Sequence, residues 1–178
     1  MLDPLTFSAI GAVAITEGIK FLYGQASEIL KRWRERKDSA KDASTQLNNT
    51  EPVDVKLPSV FEGQLSAPHI HFDTVERVEE QLRELRKDLS EYADGIESVD
   101  VKDANFLRRI DALRQLLEAV YQQRITFKGE QHPPSGPVVE GRIDVEEVAG
   151  YTAAVRVRQI VSGSVKADAK ARRVEPGV

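Results

Sequence analysis

The sequence predicts a mainly α fold: a helical bundle built on an antiparallel helix hairpin, with a short β-patterned tail at its C-terminal end. Three observations carry that prediction. Between residues 71 and 128, apolar residues recur at steps of three and four in two runs separated by a short break. The first 38 residues hold a third apolar run that ends in a basic cluster. Beyond a Gly/Pro-rich break, the apolar period drops from about 3.5 to 2.

The first element, residues 1–38, reads as an apolar and then amphipathic helix. Asp3 is a good N-cap, and Pro4 suits the first helical position because its missing N–H costs nothing there. Leu5 to Thr16 is apolar nearly all round and rich in small residues. Ile19, Leu22, Ile29, Leu30 and Trp33 then continue one face. Gly18 and Gly24 lower helix propensity and allow a kink. Two readings of this helix are open. In one it is a core helix whose cationic last turn complements the helix dipole. In the other it engages a membrane, with Ile10, Val13, Phe21 and Trp33 toward lipid and Lys31, Arg32, Arg34 and Arg36 meeting anionic headgroups.

Residues 39–70 read as a linker. Val53, Val55 and Leu57 alternate, but Pro52 and Pro58 bracket them, so a short edge strand is the most that forms. His69-x-His71 sets two rings on one face of an extended segment. No third ligand is fixed by spacing, so no metal site is expected.

Residues 71–128 form the hairpin. Its seam is Val75, Val78, Leu82, Leu85, Leu89, Tyr92 and Ile96 on one helix, with Phe106, Ile110, Leu113, Leu117 and Val120 on the other. Asp73 with Glu76 forms a capping-box-like start, Gly95 marks the first helix's end, and Asp100 or Asp103 caps the second. The doublets Phe106–Leu107, Leu116–Leu117 and Val120–Tyr121 widen the apolar face. A bundle of three or more helices is expected rather than a two-stranded coil.

Gly129, Pro133, Pro134, Gly136 and Pro137 mark residues 129–140 as a hinge. In the tail, 141–178, the spacing of Ile143, Val145 and Val148 returns in Val155, Val157 and Ile160, and a third, weaker copy begins at Val165. β-branched residues at alternate positions with Gly between segments read as short strands. So short a tail buries little by itself. It must pair with other copies, dock on a partner or remain disordered.

Composition narrows the chemistry. The formal charge of −4 argues against a nucleic-acid binder, and the absence of cysteine excludes disulfides and thiolate metal sites. The N-terminus lacks a basic n-region and a small-residue cleavage site, so no secretory leader is expected; with no run of about 18 apolar residues, the expectation is a cytoplasmic protein, membrane-associated under the second reading of the first helix. There is no glycine-rich phosphate loop, nucleophile elbow or zinc-type histidine pair on a helix. Glu79–Glu80 and Glu146–Glu147 read as charged neighbours on solvated faces. No catalytic residue, cofactor or metal is expected.

An apolar helix near residue 1, a helical middle, a Gly/Pro break and a β-patterned tail together resemble the layout of bacterial Bell-type proteins related to fungal HeLo-like domains. The resemblance covers Met1 to Phe127 against the helical part and Gly141 to Val178 against the tail. It implies a helical domain that acts at membranes and a tail that receives a signal by templated β-pairing. The expectation is a non-enzymatic, self-associating signalling or defence effector whose N-terminal helix engages a membrane after assembly, homo-oligomeric and with a protein partner. The alternative is a helical adaptor that binds a partner through bundle and tail.

Overall fold

A computed structural model describes residues 11–42, 48–149 and 164–175. The protein is mainly helical, with small strand pieces between the helices. Helix α1 (Ala12–Asp42) buries Ile15, Ile19, Leu22, Ala26, Ile29, Leu30 and Trp33, a stripe at steps of three and four. It runs unbroken through Gly18 and Gly24 and ends beyond the expected residue 38. Gly18 is used for close approach: a Cβ there would stand 2.2 Å from Cε1 of Phe127. At Gly24 nothing lies within 4 Å, so the residue weakens helix propensity without a packing reason.

Strand β1 (Thr50–Pro52) follows, then β2 (Phe61–Glu62) and β3 (His69–His71). β3 runs directly into α2 (Phe72–Asp88), then a single turn α3 (Ser90–Ala93) and α4 (Ala104–Tyr121). Asp103 caps α4, its carboxylate accepting from the amides of Asn105 at 2.9 Å and Phe106 at 3.2 Å. α2 starts differently from the expectation. His71 stands at the N-cap without a side-chain cap bond, and Asp73 accepts from the adjacent Thr74 amide rather than sharing a box with Glu76. A strand that enters a helix without a loop leaves no room for the reciprocal cap.

Val75, Leu82 and Leu89 are fully buried, as are Ile110, Leu113, Leu117 and Val120, while Phe106 is nearly so. Val78, Leu85 and Tyr92 are half-buried against the same core. Each large side chain buried there contributes on the order of 1.5–3 kcal/mol. Ile96 is a correction to the expected seam, since it is 75% exposed. The helix stops at Asp88, and Gly95 turns the chain at φ +76°, so Ile96 lies past the periodic face.

The linker and hinge expectations are also corrected. Residues 48–70 are tied down at both ends: β1 pairs with β3, and β2 pairs antiparallel with β5 (Thr126–Phe127). Phe61 lies 4.5 Å from the Phe127 ring and 5.1 Å from the Phe21 ring, so this segment enters the core. Across the expected hinge, Glu130 and Ser135 are buried. The Ser135 amide donates to the Glu62 carbonyl at 2.8 Å, and its hydroxyl accepts from the Thr126 amide at 2.8 Å. Gly63 allows this crossing. It sits at φ +82°, and a Cβ would fall 2.6 Å from the Ser135 carbonyl oxygen. Gly and Pro here shape a packed turn; they do not free the chain.

Strand β4 (Gln123–Arg124) pairs antiparallel with the start of β6 (Gly136–Ala149), and β6 pairs in parallel with β7 (Ser164–Glu175). The order is β4–β6–β7.

Candidate functional site

The contact between α1 and α2 is built on Trp33. Its ring stacks on Phe72 with centroids 6.0 Å apart, and the Arg36 guanidinium lies 4.5 Å above the other ring of the pair, that of Phe72. The indole N–H donates to Glu79 at 2.6 Å, and the same carboxylate receives Lys37 at 2.7 Å and Arg83 at 2.7 Å. With the Lys37 and Trp33 hydrogen bonds foremost, Glu79 is held at a pKa of about 2, below its ordinary 4.5. Ionised Glu79 therefore stabilises the fold at neutral pH. That contribution is lost as pH falls from about 4.5 through about 2. Glu79→Gln is expected to cost about 1–2 kcal/mol at pH 7, less than the full linkage value because solvent reaches part of the pair. The difference from wild type should shrink toward pH 2, as read by denaturant unfolding at a series of pH values.

The residues expected to face lipid do not share a surface. Val13 is 83% exposed, Phe21 is half-buried against Phe61, and Ile10 lies outside the described residues. Trp33 is corrected from an interfacial anchor to a core residue, 7% exposed, because Phe72 and Glu79 satisfy its ring and its N–H together. Arg32 is held by Glu28 at 2.8 Å and by Glu51. Lys31 and Arg34 are exposed on another side of α1. Among the described residues, no helix is long and apolar enough to cross a membrane.

A buried ionic cluster escapes the periodicity altogether. Arg114 is 5% exposed and donates to both oxygens of Glu130, at 3.0 and 2.8 Å, and to Asp111 at 2.6 Å. Glu130 also accepts from the Phe127 amide at 2.9 Å, and Asp111 from Gln115 at 2.8 Å. Nearby, Glu118 accepts from the Ile125 amide at 2.8 Å, and burial pushes its carboxyl above the ordinary range. These bonds fasten the chain after α4 back onto that helix. Tyr121 does the same toward α1, donating to Gln25 at 2.7 Å; burial pushes its phenol pKa up.

In the tail, the β6–β7 register sets Glu140 opposite Lys166, Arg142 opposite Asp168, Asp144 opposite Lys170 and Glu147 opposite Arg173. The four charged residues of β6 paired in this register each stand opposite a residue type of opposite sign, and Glu146 has no partner in it. Val139 stands opposite Val165, Ile143 opposite Ala169, Val145 opposite Ala171 and Val148 opposite Val174. The strand paired with β6 is thus the third, weaker copy of the spacing. Val155, Val157 and Ile160 lie outside the described residues.

The histidines of β3 have protein partners. His69 Nδ1 is 2.8 Å from the Ala67 carbonyl oxygen, and His71 Nδ1 is 3.3 Å from Gln122 Nε2. Among the described residues no group of three His, Asp or Glu is placed to hold a metal ion. Comparison with protein families, curated proteins and solved structures returns no match for the chain.

Proposed function

We propose that the chain is a non-enzymatic, self-associating adaptor. In this reading α1 packs with an antiparallel α2–α4 hairpin as a bundle, and the C-terminal ribbon joins copies by strand addition. The observation that carries it is the charge complementarity of β6 and β7 in their parallel register. Among the described residues β7 is the last strand of its sheet, and strand addition at that edge would satisfy its backbone groups. A β6 from a second copy laid there meets the same pattern that β6 meets within the chain. The opposite charges favour that register and penalise a slip by one residue, which would set charged residues against apolar ones. Addition of this kind is head to tail, and each copy presents the edge anew.

An adaptor fits better than a membrane-inserting effector. Insertion would draw Ile15, Ile19, Leu22, Ile29 and Trp33 out of the core they share with α2 and α4. A signalling or defence setting is supported by the layout of the chain alone. Light scattering on full-length protein, on protein lacking residues 141–178 and on Val145→Pro tests the association. Both changes are expected to reduce the mass while leaving the far-UV helical signal nearly intact, because proline cannot donate a ladder hydrogen bond. Equal masses for all three would remove the ribbon from the reading. Release of an entrapped dye from anionic vesicles by wild-type protein, which surface binding alone does not cause, would favour the membrane effector instead.

A further inference from the structure

A cleft of about 420 Å³ lies between α1 and α2, and Arg83, which meets Glu79, is among the residues that line it. Ser27, Lys31 and Arg34 line it from α1, at steps of four and three along one helix face; Arg83, Arg86 and Lys87 line it from α2, at steps of three and one. Five of its lining residues are cations, and none is a carboxylate, in a chain whose formal charge is −4. Among the described residues Lys31, Arg34 and Lys87 form no ion pair. Arg83 does meet Glu79, at 2.7 Å, but Glu79 does not line the cleft.

Arg86 is set in place by neutral groups. Its Nη1 donates to the Tyr23 hydroxyl at 3.2 Å and to the Ser27 hydroxyl at 3.1 Å, and its guanidinium lies 5.2 Å from the Tyr23 ring centroid. These partners orient the side chain without cancelling its charge. Positive charges gathered from two helices repel one another when the cleft is empty, and an anion removes that repulsion. The Arg83 fork is engaged by Glu79, but the guanidinium groups of Arg34 and Arg86, with Lys31 and Lys87 beside them, suit the tetrahedral, multiply charged oxygens of phosphate better than a single carboxylate.

We propose that this cleft is a binding site for a phosphate-bearing anion carrying more than one negative charge. The size suits a small ligand. Nothing in it depends on the ribbon, so it holds whether or not the chain self-associates. The ligand chemistry is available from a free oligophosphate or from the headgroup of an anionic phospholipid.

Calorimetric titration of the full chain with inorganic tripolyphosphate, and flotation with phosphatidylcholine vesicles containing phosphatidic acid, separate the two sources. The variants are Arg86→Gln and the exposed pair Lys31→Gln/Arg34→Gln. Arg108→Gln/Arg109→Gln, two exposed cations on α4, is the control for non-specific charge. Binding to tripolyphosphate that weakens at least about tenfold in either cleft variant, and little in the control, supports the site with a free ligand. Binding to the vesicles alone, with the same ranking of variants, supports it with a headgroup. Absence of binding to both probes overturns the proposal. So does wild-type affinity in the cleft variants, or an equal loss in the control.

Discussion

Arg114→Leu is expected to destabilise the protein by about 3–5 kcal/mol at neutral pH. The guanidinium stands between two carboxylates, Asp111 and Glu130, that are themselves 9% and 6% exposed. Removing it strands two negative charges where water cannot solvate them, which is costlier than the intact cluster is stabilising. A domain of this kind has about 5–15 kcal/mol in total, so the variant should approach the limit of folding. The penalty belongs to the charged forms. It should be smaller at pH 4 than at pH 7, because the stranded carboxylates can take up protons. Burial already raises the Glu130 pKa in the wild type, in the same direction. Arg114→Lys keeps the charge, loses the fork, and should fall between the two proteins. Urea unfolding at both pH values reads all of this; a loss below about 1 kcal/mol would mean that the cluster is solvated.

Leu113→Asp carries a comparable expectation for the helical core. Leu113 has no exposed surface, and it lies on the α4 face that packs with α1 and α2. A carboxylate there loses the leucine's burial and must either remain charged in an apolar contact or fold protonated, at several kcal/mol in either case. Circular dichroism should show an unfolded or much less stable chain, and Leu82→Asp on α2 should behave alike. Glu84→Ala, on the exposed side of the same helix, should change stability by less than about 0.5 kcal/mol. An unaltered helical spectrum in both aspartate variants would contradict the core described for α2 and α4.

Helical content was legible because an amphipathic helix repeats its chemistry every turn. Val75, Leu82, Leu89, Ile110, Leu113 and Leu117 announce their burial by spacing alone, and the apolar run announces a cap at Asp100 or Asp103, of which the helix uses Asp103. What periodicity could not reach were contacts between residues far apart in sequence and unlike in chemistry. Glu79 looks like one acid among many on a solvated face. Its role depends on Trp33, whose indole arrives from 46 residues away. Arg114 and Glu130 are each ordinary surface types, and only the return of the chain after α4 buries them together. The same return turns a Gly/Pro segment, which reads locally as a hinge, into packed structure around Ser135. Ile96 erred the other way. It continued the spacing, but the helix ended before reaching it. Of the five cations of the α1–α2 cleft, Lys31 and Arg34 belong to the basic end of the first helix and Arg83, Arg86 and Lys87 to a stretch of mixed charge, and only the packing of α1 on α2 makes them one surface.

The proposed association is tested most directly by reversing charge across the ribbon and then restoring it. Glu140 and Lys166 stand opposite one another in the parallel register, as do Asp144 and Lys170. Lys166→Glu/Lys170→Glu sets four like charges face to face and is expected to lower the solution mass measured by light scattering. Adding Glu140→Lys/Asp144→Lys to the same protein restores every opposite pairing with the signs exchanged. The account predicts that this quadruple variant recovers the wild-type mass, and that it loses mass when mixed with the double variant. An unchanged mass in the double variant, or no recovery in the quadruple one, would contradict assembly through the β6–β7 register.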